Sequence, residues 1–169
     1  MPKLRVRDLM TPDPLVVCLD DSLATIRELM SEKHIRHVPV VDNRGDLVGL
    51  VSERDLLRRA AGFEGSVPLS LDEEIAASVK VREIMTWEVE TVEADEDVAT
   101  AASVMLENKY GCLPVLEQGV LAGILTEADF VRHVAEDAAD DSARGGKPDA
   151  RPYDRLSAGG RHDRIVGAS

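Results

Sequence analysis

The chain has 169 residues, 44% of them hydrophobic, and a formal net charge of −12. That length allows one domain, or two very small ones, with a sizeable aliphatic core. The negative field and an aromatic content of only 3% (Phe63, Trp87, Tyr110, Phe130, Tyr153) argue against a nucleic-acid partner, which needs phosphate neutralisation and stacking rings.

At the N-terminus, Met1-Pro2-Lys3-Leu4-Arg5 lacks the apolar stretch of a signal peptide. No later run reaches the ~18 apolar residues that span a bilayer. A soluble, cytoplasmic protein with no membrane partner is the expectation. The apolar run Leu15-Val16-Val17-Cys18 predicts a strand. The acids of Asp20-Asp21-Ser22 suit the positive end of a helix dipole, and Leu23, Ile26 and Met30 then recur at helical spacing. Strands over residues 35–41 and 47–51 are expected on either side of an Asn43-Arg44-Gly45 turn. A second helix follows Ser52 and carries Leu56 and Leu57. A connector contains Ser70-Leu71-Asp72-Glu73, a helix-start signature, with the helix continuing over residues 74–79.

The same order then returns. Val6-Arg7-Asp8-Leu9-Met10-Thr11 is echoed 75 positions later by Val81-Arg82-Glu83-Ile84-Met85-Thr86, and His37-Val38-Pro39-Val40 by Cys112-Leu113-Pro114-Val115. Gly49-Leu50-Val51-Ser52-Glu53-Arg54-Asp55 is echoed 74 positions later by Gly123-Ile124-Leu125-Thr126-Glu127-Ala128-Asp129. The missing residue falls in a polar turn, where length changes cheaply. Glu90-Thr91-Val92 predicts the strand of the second copy, and Asp95-Glu96-Asp97 with Val98, Ala101 and Met105 its helix. The chain therefore reads as a tandem duplication: a first repeat over residues 4–62, a helical connector over 63–79 and a second repeat over 80–135. The segment 136–169, rich in Ala, Gly, Asp, Arg, Ser and Pro, reads as a disordered tail. Each β-α-β-β-α unit is too small to hold a core alone, so the two copies are expected to complete one another.

The order, spacing and duplication of these blocks resemble a tandem pair of CBS (cystathionine β-synthase) domains, a Bateman module. The resemblance covers residues 4–135. It implies an α/β fold of two β-α-β-β-α repeats packed with pseudo-twofold symmetry. It implies clefts between the repeats that bind AMP, ADP or ATP, or alternatively S-adenosylmethionine or NAD. It also implies a regulatory, non-catalytic role with no obligatory cofactor, and pairing into a disc-like homodimer that acts on a protein partner not identified by the sequence.

In that family the Asp of the Gly-x-x-Ser/Thr-x-x-Asp block accepts hydrogen bonds from both ribose hydroxyls, which makes Ser52 with Asp55, and Thr126 with Asp129, the foremost candidates. A carboxylate can accept two donors at once, as a cis-diol requires. The same spacing also suits a plain helix N-cap. For phosphate, the resemblance points to Arg36 and His37, where a family His-Arg pair is inverted, with Lys109 and Arg54 behind them. The second copy has Gly111-Cys112 instead. The first strand of each copy offers Val16 and Thr91, of which the family favours Thr. The backbone near Val38, Pro39, Leu113 and Pro114 is expected at the adenine edge, although these prolines also suit a bulge.

These differences predict two unequal clefts, the first copy being richer in bases. Residues 1–75 hold 14 acids and 10 bases, and residues 76–135 hold 11 acids and 4 bases, which leans toward a mononucleotide. The rivals are a ligand-free dimerisation module and, far behind, a metal site. Cys18 and Cys112 stand in no metal-like or disulfide spacing, and His34 and His37, if both lie in one strand, face opposite sides.

Overall fold

The computed structural model describes residues 3–60 and 73–143. The chain divides into two compact units, Met1–His133 and Val134–Ser169. Within the first, a single turn of helix, α1 (Val6–Leu9), leads into a short strand β1 (Thr11–Pro12). Then come β2 (Val17–Cys18), α2 (Leu23–Lys33), the hairpin β3 (His37–Val41) and β4 (Leu47–Ser52), and α3 (Glu53–Ala60). Helix α4 (Glu73–Ser78) opens the second round. A 3-10 turn (Val81–Glu83), β5 (Thr86–Trp87), β6 (Val92–Glu93), α5 (Val98–Asn108), β7 (Cys112–Glu117), β8 (Val120–Thr126) and α6 (Glu127–Ala143) follow.

The two expected helix starts are built from local chemistry. Ser22 caps α2 by accepting from the Thr25 amide at 3.2 Å, and Asp97 caps α5 by accepting from the Ala99 amide at 2.9 Å. Leu23, Ile26 and Met30 are buried on α2, as are Ala101 and Met105 on α5. Both helices end in a non-glycine residue in the left-handed region, His34 (φ 54°) and Lys109 (φ 58°). In each case the next amide, Ile35 or Tyr110, returns to the carbonyl of Met30 or Met105. This C-cap corrects the strand start. His34 belongs to the helix end and β3 begins at His37, so the two histidines do not share a strand. The capping signature beginning at Ser70 lies outside the described residues.

Two four-stranded sheets form, ordered β2-β3-β4-β5 and β1-β8-β7-β6. Their composition crosses the sequence repeats. Strand β1 pairs with β8 of the second repeat, and β5 with β4 of the first. The turns before them follow suit: the Val6 amide donates to Glu96 O at 3.0 Å, and the Val81 amide to Asp21 O at 2.8 Å. Thus Val6 and Leu9 pack in one core with Val92, Met105, Leu113, Val115 and Leu125. Val81 and Met85 pack in the other with Val17, Ile26, Val38, Val40 and Val51. The repeats are interdependent because each lends its first turn and strand to the other's core.

Glycine at two repeat-related positions permits this exchange. A Cβ on Gly123 would lie 2.6 Å from Met10 Sδ and 2.8 Å from the Thr11 carbonyl oxygen. One on Gly49 would collide with the Thr86 carbonyl oxygen and the Met85 methyl group. The first residue of each Gly-x-x-Ser/Thr-x-x-Asp block is therefore where the exchanged strand lies against its sheet.

In the second unit the described residues are helical, and α6 ends at Ala143, beyond the point at which the sequence pattern fades. Ala138, Ala139 and Ala143 favour helix without needing a buried face. The rest of the expected tail lies outside the described residues.

Candidate functional site

Both Ser/Thr–Asp pairs stand where a sheet strand passes into a helix, and both make the expected cap. The Ser52 amide and hydroxyl each donate to Asp55 Oδ2 at 2.7 Å. The Thr126 amide and hydroxyl each donate to Asp129 Oδ2 at 2.8 Å. The second carboxylate oxygens differ. Asp129 Oδ1 accepts from Thr11 Oγ1 at 3.2 Å and from Arg132 Nη1 at 3.0 Å, and Asp129 is only 2% exposed. Asp55 is half-buried, and among the described residues its Oδ1 accepts no hydrogen bond. Thr86 and Arg58, the repeat counterparts of Thr11 and Arg132, make no hydrogen bond to it.

His37 starts β3 directly opposite Ser52 in the ladder. Its ring lies against Gly111 of the other repeat. Burial there pushes the imidazole below its ordinary value, against the opposing pull of Asp55 and Glu127; Arg36 and Arg54 lower it further. Asp55, Arg36, Arg54 and Glu127 thus lie within electrostatic reach of one ring. Arg36 is 80% exposed and its Nε lies 3.8 Å from Glu53 Oε2, a loose contact that leaves the guanidinium available to an anion. Cys112 replaces His37 in the second repeat, opposite Thr126. Its thiol is buried and pushed up to about 12, first by desolvation and then by Asp129.

The structure therefore brings Ser52, Asp55, Arg36, His37 and Arg54 together. It separates other candidates from an open surface. Val38, Pro39, Leu113 and Pro114 are fully buried, so their side chains belong to the cores and only main-chain groups of those segments could meet a base edge. The prolines lie opposite Leu50 and Ile124 in regular register, and the irregularities come later, at Val40/Val41 and Val115/Leu116. Val16 is 43% exposed just before β2, Thr91 is half-buried just before β6, and Lys109 is exposed at its helix cap. Sequence reasoning passed over Thr11 and Arg132. Arg132 was detectable as the base three positions after Asp129 on one helix face, whereas Thr11 reaches Asp129 only through the strand exchange. Among the described residues no three His, Cys, Asp or Glu side chains gather as metal ligands, and no helix is long and apolar enough to cross a membrane.

The CBS domain family model matches residues 6–62 and 81–136. Among related proteins, MJ1404 of Methanocaldococcus jannaschii is 31% identical over 141 residues, 80% of this chain but 33% of that protein. A CBS domain-containing protein of Dictyostelium discoideum is 32% identical over 132 residues, 76% of this chain and 90% of its own. The A-adding tRNA nucleotidyltransferase of Aquifex aeolicus is also similar, 30% identical over 135 residues, 80% of this chain and 15% of the enzyme. This chain thus spans a third or less of two of these three relatives. Among solved structures, a protein designated AcuB from Vibrio cholerae superposes with a TM-score of 0.69 at 31% identity, over 86% of this chain and all of that one. CBSX2 in complex with AMP gives 0.65 at 33% identity, over 79% and 98%. The CBS domain pair of MJ0100, in complex with 5′-methylthioadenosine and S-adenosyl-L-methionine, gives 0.65 at 25% identity, over 80% and 99%.

Proposed function

The chain belongs to the CBS domain family, and from that premise we propose that it is a regulatory, non-catalytic module whose ligand is an adenosine nucleotide, with AMP, ADP or ATP ahead of S-adenosylmethionine. One observation carries the reading: Asp55 presents a carboxylate oxygen, Oδ1, that accepts no hydrogen bond from the described residues, at the start of α3, within electrostatic reach of His37 and of two exposed arginines, Arg36 and Arg54. A ribose diol donates to such a carboxylate, and the guanidinium groups suit a phosphate in an otherwise acidic chain. The AMP held by CBSX2 and the adenosine derivatives held by MJ0100 support the same ligand class.

Ligand bound against both repeats shifts the population of their relative arrangements, and a homodimer passes that shift to a protein partner. Calorimetric titration with AMP, ADP, ATP, S-adenosylmethionine and NAD tests the reading. Binding by an adenine nucleotide at micromolar concentrations, lost in Asp55→Asn, supports it. Absence of binding by all five up to about millimolar, roughly −4 kcal/mol, leaves a ligand-free dimerisation module in its place. Light scattering at the same concentrations reads the dimer.

A further inference from the structure

The two repeat-related carboxylates differ in one respect that the sequence blocks conceal. Each has one oxygen committed to the cap of its helix. On Asp129 the other oxygen is also committed, to two donors from different parts of the chain: the hydroxyl of Thr11, brought in by the exchanged strand, and the guanidinium of Arg132, one helical turn on. These mimic what a ribose offers, two donors converging on one carboxylate oxygen. The residue is 2% exposed, so nothing else reaches it while they are in place. On Asp55 the corresponding oxygen accepts no hydrogen bond from the described residues, although Thr86 and Arg58 occupy the corresponding sequence positions.

We infer that Thr11 and Arg132 are built-in occupants of the Asp129 carboxylate, so that the protein takes one adenosine ligand per chain, at Asp55. The inference rests on the adenosine reading above and deepens it, turning two sites that look alike in sequence into one open site and one closed by the chain itself. Charge acts in the same direction. Arg36 and Arg54 stand beside Asp55, whereas their counterparts beside Asp129 are Gly111 and Ala128, and Arg132 is already paired. Opening the second site requires removing the two donors; no new binding group has to be supplied on the ribose side.

Calorimetric titration of the full chain with AMP tests this. The wild type should take one equivalent, Asp55→Asn should lose binding by at least tenfold, and Asp129→Asn should keep it. Asn retains an oxygen for each helix cap, and a thermal melt of every variant verifies the fold. The double variant Thr11→Val/Arg132→Ala should take a second, weaker equivalent, which Asp129→Asn then removes. Two equivalents in the wild type overturn the inference, as do loss through Asp129→Asn rather than Asp55→Asn, or a single equivalent in the folded double variant. All three leave the adenosine reading standing. If the wild type binds none of AMP, ADP, ATP, S-adenosylmethionine and NAD, both the inference and the adenosine reading are overturned.

Discussion

Gly111 faces the ring of His37 from the other repeat: a Cβ at that position would lie 3.3 Å from Nε2 and 3.4 Å from Cε1. The pair sits where the two copies meet, with Asp55 and Glu127 in electrostatic reach of the same imidazole. Gly111→Val is expected to destabilise the fold by about 1–3 kcal/mol through overpacking. In the double variant with His37→Ala much of that cost should be recovered, giving a coupling of about 1 kcal/mol in a thermal or urea double-mutant cycle. Additive losses would show that the ring and the glycine do not press on one another.

Gly123 is held more tightly than Gly111. Its added methyl would meet the Thr11 carbonyl oxygen, a backbone atom that cannot rotate away. Gly123→Ala should cost more than about 2 kcal/mol, because β1 must lift from β8. Gly45, whose Cβ would meet nothing but whose φ is +86°, should lose only about 1 kcal/mol on replacement by Ala, from backbone strain alone. Urea unfolding ranks the two; equal losses would contradict the close approach.

The His37 imidazole is held below its ordinary value by burial. The folded state therefore favours the neutral ring, and the unfolded chain binds the proton more readily. Its contribution to stability is fully present above the unfolded value of about 6.5 and declines as the pH falls from there toward the lower folded value. Melting temperature should drop over that interval in the wild type, and drop less steeply in His37→Gln. A melting profile identical for both would remove His37 from the account.

Cys18 is exposed, whereas Cys112 is buried with its thiol pushed up to about 12. Maleimide at neutral pH should label Cys18 within minutes and leave Cys112 untouched until the protein unfolds, because the thiolate is the reactive form. Mass spectrometry of labelled peptides before and after denaturation reads this directly. Early modification of Cys112 would mean that β7 opens far more readily than its burial implies.

Asp129→Ala should be the costlier of the two carboxylate deletions. It removes the buried acceptor of the Thr126 and Thr11 donors and of the Arg132 contact together, an expected loss of about 2–3 kcal/mol. Asp55→Ala removes a cap alone, about 1 kcal/mol. Chemical denaturation of the two variants decides the order.

Much of this architecture is legible without coordinates. The helices α2 and α5, their capping residues Ser22 and Asp97, and their buried faces follow from spacing and local hydrogen-bonding chemistry. So do the two hairpins and the caps formed by Asp55 and Asp129. The two-residue strands β1 and β5 are not legible, because two residues carry no periodicity. Helix α6 also extends past the point where apolar spacing stops, since alanine sustains a helix without a core contact.

The sequence by itself determined the repeat, the family and the identity of the paired carboxylates, all of which depend on residue type and short-range order. Only the tertiary structure decided that the repeats exchange their first turns, that Val38, Pro39, Leu113 and Pro114 are buried, and that Thr11 and Arg132 donate to the second oxygen of Asp129 while none of the described residues donates to that of Asp55. Those facts depend on partners up to 118 positions apart. Two blocks of the same residues at the same spacing acquire different chemistry from the neighbours that packing brings to them.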